Sequence, residues 1–177
     1  MLMRLATAAD VPAVAEMILA RSAWLEERGW PTWRAEADSL ARQADHTPTA
    51  ESSMWVLDDN GRIVGCTTVQ TSAPPWGWTA HELAEPASYL YSTCTHPDYR
   101  AARPGTLIAL WAVDQAARLG RGWVRRGCLF PGLVDYYQRQ GFTLHHTVQR
   151  TRHPVYLLAR RSELIPELGT SLTAAST

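Results

Sequence analysis

Apolar residues near the start of the chain recur first in a strand pattern and then at helical spacing. Residues 1–6 are mainly apolar and predict an opening strand. Val14 and Ile18 then lie one helical turn apart on the apolar face of a first helix, which we expect to end near Gly29. Residues 34–44 predict a second, more polar helix. The chain therefore opens with a strand followed by two helices.

An Asn-Gly pair separates the next two β-prone runs. Residues 54–57 and 63–69 lie on either side of Asn60 and Gly61, and this dipeptide between two such runs predicts a β-hairpin. Residues 70–87 follow with three prolines and a glycine, a composition typical of a loop. We therefore expect two paired strands and then a long, mostly irregular connection.

The most regular helical pattern of the chain covers residues 105–119. The first half of this segment is apolar nearly all round, so we expect the helix to be buried. Four more strands are predicted on either side of it, at residues 89–95, 123–130, 142–148 and 155–159. A short helix is expected between Pro131 and Gly141. This order of elements is typical of a mixed α/β sheet with helices on both faces.

The predicted elements form one continuous series. No internal repeat and no linker divides them, so we interpret residues 1–162 as one domain. At 177 residues the chain is long enough to bury a continuous core. Residues 165–177 are small and polar without periodicity, and we expect residues 163–177 to form a flexible C-terminal tail.

The charges of the chain balance, with seventeen basic residues, all of them arginine, and seventeen acidic ones. Zero net charge argues against a nucleic-acid-binding protein, because such proteins draw affinity from excess positive charge. The three cysteines are widely spaced without a CxxC pair, which favours a reducing compartment. No run is apolar for the roughly 18 residues of a membrane span. We expect a cytoplasmic protein that binds neither nucleic acid nor membrane.

A turn at residues 96–105 connects the predicted strand 89–95 to the buried helix. A strand that feeds a small-residue turn opening a helix can bind an anion, because free N–H groups converge there with the positive end of the helix dipole. Arg100 and Arg103 add full charges with forked donors suited to phosphate oxygens. The alternative is an ordinary turn with solvated arginines.

Two tyrosines lie near the end of the predicted short helix. A phenol has an ordinary pKa of about 10 and can act as a proton donor. Tyr136 and Tyr137 are therefore candidates for acid chemistry, unless their rings only pack. Packing is the interpretation we favour for Tyr136.

The order of elements and these two segments resemble the GNAT superfamily of acetyl-CoA-dependent N-acetyltransferases over residues 2–161. In that family the turn carries an Arg/Gln-x-x-Gly-x-Gly/Ala signature, and its backbone N–H groups hold the coenzyme A pyrophosphate. Arg100 and Gly105 match the first and last positions of the signature. Tyr137, four residues before Gly141, matches the family's usual general acid.

The resemblance implies a single-domain α/β fold with a mixed, mostly antiparallel sheet flanked by helices. Thr93 to Thr95 resemble the family's strand edge that pairs with the pantetheine arm. The cofactor-binding residues implied in this way are Thr93, Cys94, Thr95, Arg100, Ala101, Ala102, Arg103, Gly105 and Thr106.

Three positions depart from the family pattern. Arg103 stands where the family usually has glycine, and Pro104 contributes no N–H. The Arg103 side chain either replaces the lost backbone contact by pairing with phosphate, or cofactor binding is weaker. Phe130 lies seven residues before Tyr137, where the family often has asparagine.

Trp24, Trp30 and Trp33 cluster around the end of the first predicted helix. In the resembled fold the connection between the first two helices helps to wall the acceptor pocket. These rings are therefore candidates for contacts with the acceptor amine, by stacking or cation–π interaction. The alternative is that they pack in the core or cover it.

Two carboxylates and two pairs of neighbouring residues complete the candidates. Glu82 and Glu85 precede the strand that borders the reaction centre of the resembled fold, so either is a candidate base, if not simply solvated. Neighbouring strand residues face opposite sides, so one of His145 and His146 should face inward. By the same pattern, one of Arg125 and Arg126 should be solvated and the other paired. No Cys or His pair has metal-ligand spacing, and no metal site is expected.

We interpret the chain as an acetyl-CoA-dependent N-acetyltransferase that moves an acetyl group to a primary amine by direct attack. In this interpretation, the N–H groups of residues 93–95 polarise the thioester carbonyl and Tyr137 protonates the departing thiolate. The acceptor is a small-molecule or peptide amine, and the resemblance is compatible with a homodimer. The alternatives are a non-catalytic acyl-CoA-binding or sensing domain and, less favoured, a nucleic-acid-associated module.

Overall fold

The computed structural model describes residues 1–150 and 153–174. The strands are β1 (Leu2–Leu5), β2 (Ser52–Asp59), β3 (Arg62–Gln70), β4 (Ala87–Thr95), β5 (Trp123–Cys128), β6 (Thr143–Gln149), β7 (Pro154–Arg161) and β8 (Thr173–Ala174). The helices are α1 (Val11–Glu26), α2 (Ala37–Ala41), α3 (Ala80–Ala84), α4 (Pro104–Arg118), α5 (Pro131–Gln138) and α6 (Leu168–Ser171). Among the described residues, no helix combines the length and the apolar character needed to span a bilayer.

The strands form one sheet in the order β6-β7-β5-β4-β3-β2-β1-β8. β1 pairs antiparallel with β2, and β7 pairs antiparallel with both β5 and β6. The pairs β4–β5 and β1–β8 are parallel. The predicted fold class, an α/β fold with a mixed, mostly antiparallel sheet flanked by helices, is confirmed.

The first of two compact units comprises residues 1–68, 92–108 and 167 onward. Apolar side chains of α1 and α2 pack there against β2, β3 and β4, including Val14, Ile18, Ala41, Val56, Cys66 and Cys94. A Cβ at Gly65 would lie 2.7 Å from Cδ1 of Ile108. The glycine on β3 therefore lets the first turns of α4 approach the strand closely.

The second compact unit comprises residues 69–91 and 109–166. Its apolar cluster joins Trp78 and Tyr89 to the β7 residues Val155, Leu157 and Ala159. The parallel register of β4 and β5 runs from Ala87 to Leu90 on β4. This unit holds α5 beside β5, β6 and β7.

Two turns of the first unit have the backbone conformations that the sequence predicts. Asn60 and Gly61 have φ values of 53° and 89°, as the predicted hairpin between β2 and β3 requires. Gly29 has a φ of 67° and its N–H donates to the Glu26 carbonyl at 2.9 Å, which ends the first helical segment as expected.

Three predicted segments differ from the structure. The second helix is shorter than 34–44, because only α2 is α-helical and a 3₁₀ turn at residues 42–45 follows it. The predicted loop 70–87 contains α3, which starts at a Thr79–Glu82 capping box. Within the predicted C-terminal tail the structure has α6 and β8, and β8 pairs with β1. The flexibility of that tail and the boundary at 162 stay predictions.

Candidate active site

The turn between β4 and α4 has the strand–turn–helix form expected for an anion site. Residues 97–102 form a 3₁₀ turn, and the His96 side chain caps its start by accepting a backbone hydrogen bond. Arg103 then adopts a left-handed backbone conformation, with φ 52° and ψ 50°. Pro104 is the first residue of α4, so the chain reverses at Arg103 immediately before the helix begins.

Several N–H groups of this turn are already bonded to the backbone. The Arg103 N–H donates to the Arg100 carbonyl at 3.0 Å, and the Thr106 and Leu107 N–H groups donate to the Arg103 carbonyl at 3.0 and 3.2 Å. Arg103 therefore caps the N-terminus of α4 through its own carbonyl. Since Pro104 has no N–H, Gly105 carries the first N–H of the helix.

Arg103 occupies the position where the resembled signature has glycine. A left-handed backbone costs a residue with a Cβ about 1–2 kcal/mol, whereas glycine adopts it freely. The geometry of the turn therefore explains the glycine of the signature. At this position the chain tolerates strain and carries an exposed guanidinium beside the exposed Arg100, Ala101 and Ala102.

β4 changes conformation just before the predicted pantetheine-binding residues Thr93, Cys94 and Thr95. Ser92 has a φ of 48°, although it lies inside the strand and is not glycine. A positive φ at such a position is typical of a bulge, which re-aims the backbone groups that follow it.

Trp24 lies beside the turn that is the candidate anion site. The Arg100 guanidinium carbon is 5.1 Å from the centroid of the Trp24 ring, and those of Arg21 and Arg28 are 4.6 and 3.8 Å away. Trp30 packs edge-on against Trp24, with 5.9 Å between the centroids. Trp24 is thus a platform for guanidinium groups, one of which belongs to the predicted cofactor turn. Trp30 and Trp33 are 53% and 40% exposed, and their contact with an acceptor stays a prediction.

Tyr137 is buried on α5, with 4% of its surface exposed. The Arg126 guanidinium carbon lies 3.7 Å from the centroid of the Tyr137 ring, and the Tyr136 ring packs edge-on at 5.1 Å. Burial raises the pKa of Tyr137, although the charge of Arg126 acts to lower it. The phenol is therefore protonated at neutral pH, which is the state a proton donor needs.

Arg126 is itself buried, and two nitrogen atoms of its guanidinium group have no hydrogen-bond partner among the described residues. These atoms are Nε and Nη1. A buried cation with unbonded donors is costly and is stabilised by a negative charge near it. Arg126 and Tyr137 therefore place a buried guanidinium beside a protonated phenol.

The Glu82 carboxylate accepts hydrogen bonds from four donor groups. The Thr79 N–H and Oγ1 lie 2.8 and 2.9 Å from its Oε2 atom, His146 Nε2 lies 3.0 Å from Oε1, and His145 Nδ1 lies 3.2 Å from Oε1. Desolvation acts to raise the pKa of Glu82, but the hydrogen bonds from Thr79 and His146 outweigh it and lower the pKa to about 2. This carboxylate is a weaker base than an ordinary glutamate.

Glu85 forms an ion pair with Arg125, a residue only 2% exposed. Arg125 also donates to the backbone carbonyl of Glu82. Desolvation acts to raise the pKa of Glu85, but polar neighbours including the Arg125 guanidinium lower it overall. Because neighbouring strand residues face opposite sides, Arg125 and the two glutamates lie on the face of β5 opposite to Arg126 and Tyr137.

The adjacent histidines do not alternate as predicted. Both rings contact Glu82, and the register of β6 with β7 shifts between Leu144 and His146. Such a bulge breaks the two-residue period, so both side chains reach the same carboxylate. The prediction of one solvated residue at 125–126 is also wrong, since both arginines are buried.

The sequence profile of the acetyltransferase (GNAT) family matches residues 19–142. The chain belongs to this family. A search of curated proteins finds no match.

Solved structures of GNAT proteins share the fold at low sequence identity. A GNAT acetyltransferase from Listeria monocytogenes 4b F2365 is 16% identical with a TM-score of 0.66, over 90% of this chain and 94% of that one. The ribosomal-protein-S18-alanine N-acetyltransferase of Escherichia coli is 13% identical with a TM-score of 0.63, over 92% and 94%. An aminoglycoside 6′-N-acetyltransferase complexed with coenzyme A is 13% identical with a TM-score of 0.63, over 94% and 99%.

Within this GNAT chain, sequence reasoning missed two arginine–aromatic contacts. Arg126 stacks on the predicted acid Tyr137, and Arg100 lies over Trp24. The only sequence signal for the first was a pair of arginines, Arg125 and Arg126, inside a strand whose other residues are apolar or glycine. The second joins residues 76 positions apart, which spacing along the chain does not reveal.

Proposed function

We propose that this GNAT-family chain is an acetyl-CoA-dependent N-acetyltransferase that transfers the acetyl group directly to a primary amine. Membership of the family supports acyl transfer, and the coenzyme A complex of the aminoglycoside enzyme supports the cofactor. The observation that supports catalysis most directly is the buried Tyr137 phenol beside the Arg126 guanidinium.

In the proposal, the cofactor's pyrophosphate binds at the turn that precedes α4. Arg100 and Arg103 are exposed there and supply two guanidinium groups for phosphate oxygens. The positive end of the α4 dipole and the Gly105 N–H favour the same anion. The charge of the Arg103 side chain would compensate for two losses. Several N–H groups of the turn are already bonded to backbone carbonyls, and Pro104 has no N–H.

Direct attack is supported by the chemistry of the cysteines. A covalent acyl-enzyme on cysteine would need a thiolate nucleophile. Burial raises the pKa of Cys94 to about 12 and also raises the pKa values of Cys66 and Cys128. All three thiols are therefore protonated at neutral pH, which favours attack by the acceptor amine itself on the thioester carbon.

The leaving sulfur is where Tyr137 would act. As the amine nitrogen forms its bond to the carbonyl carbon, the carbon–sulfur bond breaks and negative charge collects on sulfur. The Tyr137 hydroxyl would donate its hydrogen to that sulfur. The nitrogen would release a proton to solvent as the amide forms, and solvent would return a proton to the phenolate. Arg126 would stabilise negative charge on the phenol oxygen during the step.

The acceptor must lose a proton before it attacks, because an ammonium group has no lone pair. Glu82 and Glu85 stay predictions for the base that takes this proton. The GNAT neighbours include enzymes named for a ribosomal-protein alanine and for an aminoglycoside, so we propose a small-molecule or peptide amine as acceptor.

Release of free thiol from acetyl-CoA over a panel of amines tests the proposed function. Turnover with an amine, together with an acetylated product of the matching mass, would support it. Tight acetyl-CoA binding without turnover on small amines and peptides would instead favour a non-catalytic acyl-CoA sensor.

Removing both arginines of the turn should weaken acetyl-CoA binding. Arg100→Ala/Arg103→Ala is expected to raise the Kd by roughly 10–100-fold, because each charge-assisted hydrogen bond contributes about 1.5–3 kcal/mol and solvent exposure reduces that. Isothermal titration with acetyl-CoA measures the change. The matched control is Arg42→Ala/Arg139→Ala, which removes two exposed arginines outside the turn. A parent-like Kd in the first variant would contradict the assignment of the turn.

We expect Trp24 to affect the binding of acetyl-CoA and Trp33 to affect the binding of the acceptor amine. Trp24→Ala is expected to raise the acetyl-CoA Kd by about 2–5-fold, because Arg100 loses a cation–π contact of about 0.5–1 kcal/mol. Trp33→Ala should leave that Kd unchanged and raise the KM of the acceptor. Equal losses of stability and of cofactor binding in both variants would show that the rings only pack.

A further inference from the structure

Two histidines and a glutamate converge in the second compact unit. One carboxylate oxygen of Glu82 and one ring nitrogen each of His145 and His146 all lie within 4.8 Å of one another. His146 Nε2 is 2.9–3.0 Å from both carboxylate oxygens, and His145 Nδ1 is 3.2 Å from Oε1. These residues belong to α3 and β6 and lie 63 and 64 positions apart in the sequence.

The local backbone places both rings on one side. A regular strand would send two neighbouring side chains to opposite faces, but the register shift between Leu144 and His146 removes that alternation. Bulges of this kind often re-aim side chains at functional sites. The convergence of His145 and His146 is therefore built into the path of β6.

The Glu82 carboxylate is held in place by Thr79, whose hydrogen bonds go to Oε2 and leave Oε1 available to a metal ion. The Thr79 N–H and hydroxyl bind Oε2 in the capping box of α3. Carboxylates that ligate metals are commonly oriented by such outer hydrogen bonds. Oε1 is left facing the two imidazole nitrogens.

We propose that Glu82, His145 and His146 bind one divalent first-row transition ion, such as Zn²⁺ or Co²⁺. Imidazole nitrogen and carboxylate oxygen are ligands that these ions favour. Atoms bonded at about 2.1 Å and separated by an angle of 90–109° lie about 3.0–3.4 Å apart. The separations from Glu82 Oε1 to the two rings, 3.2 and 3.0 Å, fall in this range. The two imidazole nitrogens lie within 4.8 Å of each other and would have to reach a similar separation on binding the ion.

The surroundings leave room for further ligands on one side. Trp78 packs against both imidazoles, at 6.2 and 5.7 Å between centroids, and forms an apolar wall. The side chains of His145 and His146 are 28% and 31% exposed, so water can reach the cluster as a further ligand. The nearby Arg125 charge is paired with Glu85 and does not leave an uncompensated cation beside the ion. Three protein ligands with open positions describe a metal site, and an ion bound to Glu82 would leave Glu85 as the candidate base of the proposed acyl transfer.

Titration of the full chain with Zn²⁺ and Co²⁺ tests the site. After treatment with a chelator and its removal, the parent should bind one equivalent of Zn²⁺ by calorimetry and develop a visible Co²⁺ absorption band. Its melting temperature should rise by roughly 5–10 °C when free Zn²⁺ is about a hundredfold above the Kd.

Variants of the ligands separate a metal site from a hydrogen-bonded cluster. His145→Ala/His146→Ala should weaken Zn²⁺ binding by roughly 100-fold or more, and Glu82→Gln, which can keep the capping box, should weaken it by at least 10-fold. The control His46→Ala/His153→Ala removes two exposed histidines and should bind as the parent does. Cooperative melting of each variant in chelator shows that it folds. Absence of binding by the parent at millimolar Zn²⁺, or equal affinity in the parent and His145→Ala/His146→Ala, would overturn the proposal.

Discussion

Tyr137→Phe is expected to lower the turnover number by roughly 10²-fold, in line with the contribution of a general acid. The substitution keeps the buried ring and its contact with Arg126 but removes the proton that the side chain could donate. The Kd for acetyl-CoA and the KM for the acceptor should stay close to the parent values, because the lost interaction is made mainly in the transition state. Steady-state thiol release and calorimetry measure the two effects separately.

Tyr136→Phe is the matched control for this substitution. It removes a hydroxyl from the neighbouring position of the same helix, and we expect a much smaller effect on turnover. The defect of Tyr137→Phe should also shrink as pH rises, because a thiolate leaves more readily without a proton in alkaline solution. Full activity of Tyr137→Phe at neutral pH would exclude the acid role, and a loss confined to Tyr136→Phe would move that role by one residue.

The elements that carry the cofactor proposal were readable from sequence because their signals are local. The turn of Arg100 to Gly105 and the apolar run of α4 lie within twenty consecutive residues, and the family signature adds a fixed spacing. The left-handed backbone conformation of Arg103 was harder to predict from sequence, because residues with a side chain usually have a negative φ. Only the position of glycine in the signature pointed to it.

α3 was missed because prolines and glycine dominate residues 70–87. A five-residue helix leaves too short a pattern for periodicity, and the surrounding composition is that of a loop. Thr79 and Glu82 have the spacing of a capping box, which was the one local sign of the helix.

The contacts between distant residues could not be predicted from a single sequence. The convergence of Glu82 with His145 and His146 depends on a bulge in β6, and a bulge has no reliable sequence signal here. The burial of both Arg125 and Arg126 depends on partners from other elements, Glu85 for the first and the ring of Tyr137 for the second. Strand alternation places the two arginines on opposite faces of β5, and tertiary packing buries both of them.

Glu85→Gln is expected to destabilise the protein by about 3 kcal/mol, because it leaves the charge of the buried Arg125 without its carboxylate partner. For a chain of this size that corresponds to a fall of roughly 6–12 °C in melting temperature. The matched control is Glu163→Gln, which removes the same charge from a pair with Arg160 in which Glu163 is 61% exposed. That change should lower the melting temperature by less than about 3 °C.

The pH dependence of this loss has a definite sign. The pKa of Glu85 lies below its ordinary value of 4.5 in the folded protein, so its ion pair contributes fully above pH 4.5. Its contribution is lost as pH falls through the folded pKa. The difference in melting temperature between the parent and Glu85→Gln should therefore be constant from pH 8 to about 5.5 and shrink below about 4.5.

The same variant decides between the two roles of Glu85. A partner of Arg125 affects stability and leaves the pH–rate profile where the parent has it, whereas a catalytic base sets the pH at which the acceptor amine becomes reactive. In the second case the profile of Glu85→Gln should move to higher pH, because the amine must lose its proton unaided. A parent-like melting temperature at pH 7 would contradict the ion pair as a source of stability, whatever the rate profile shows.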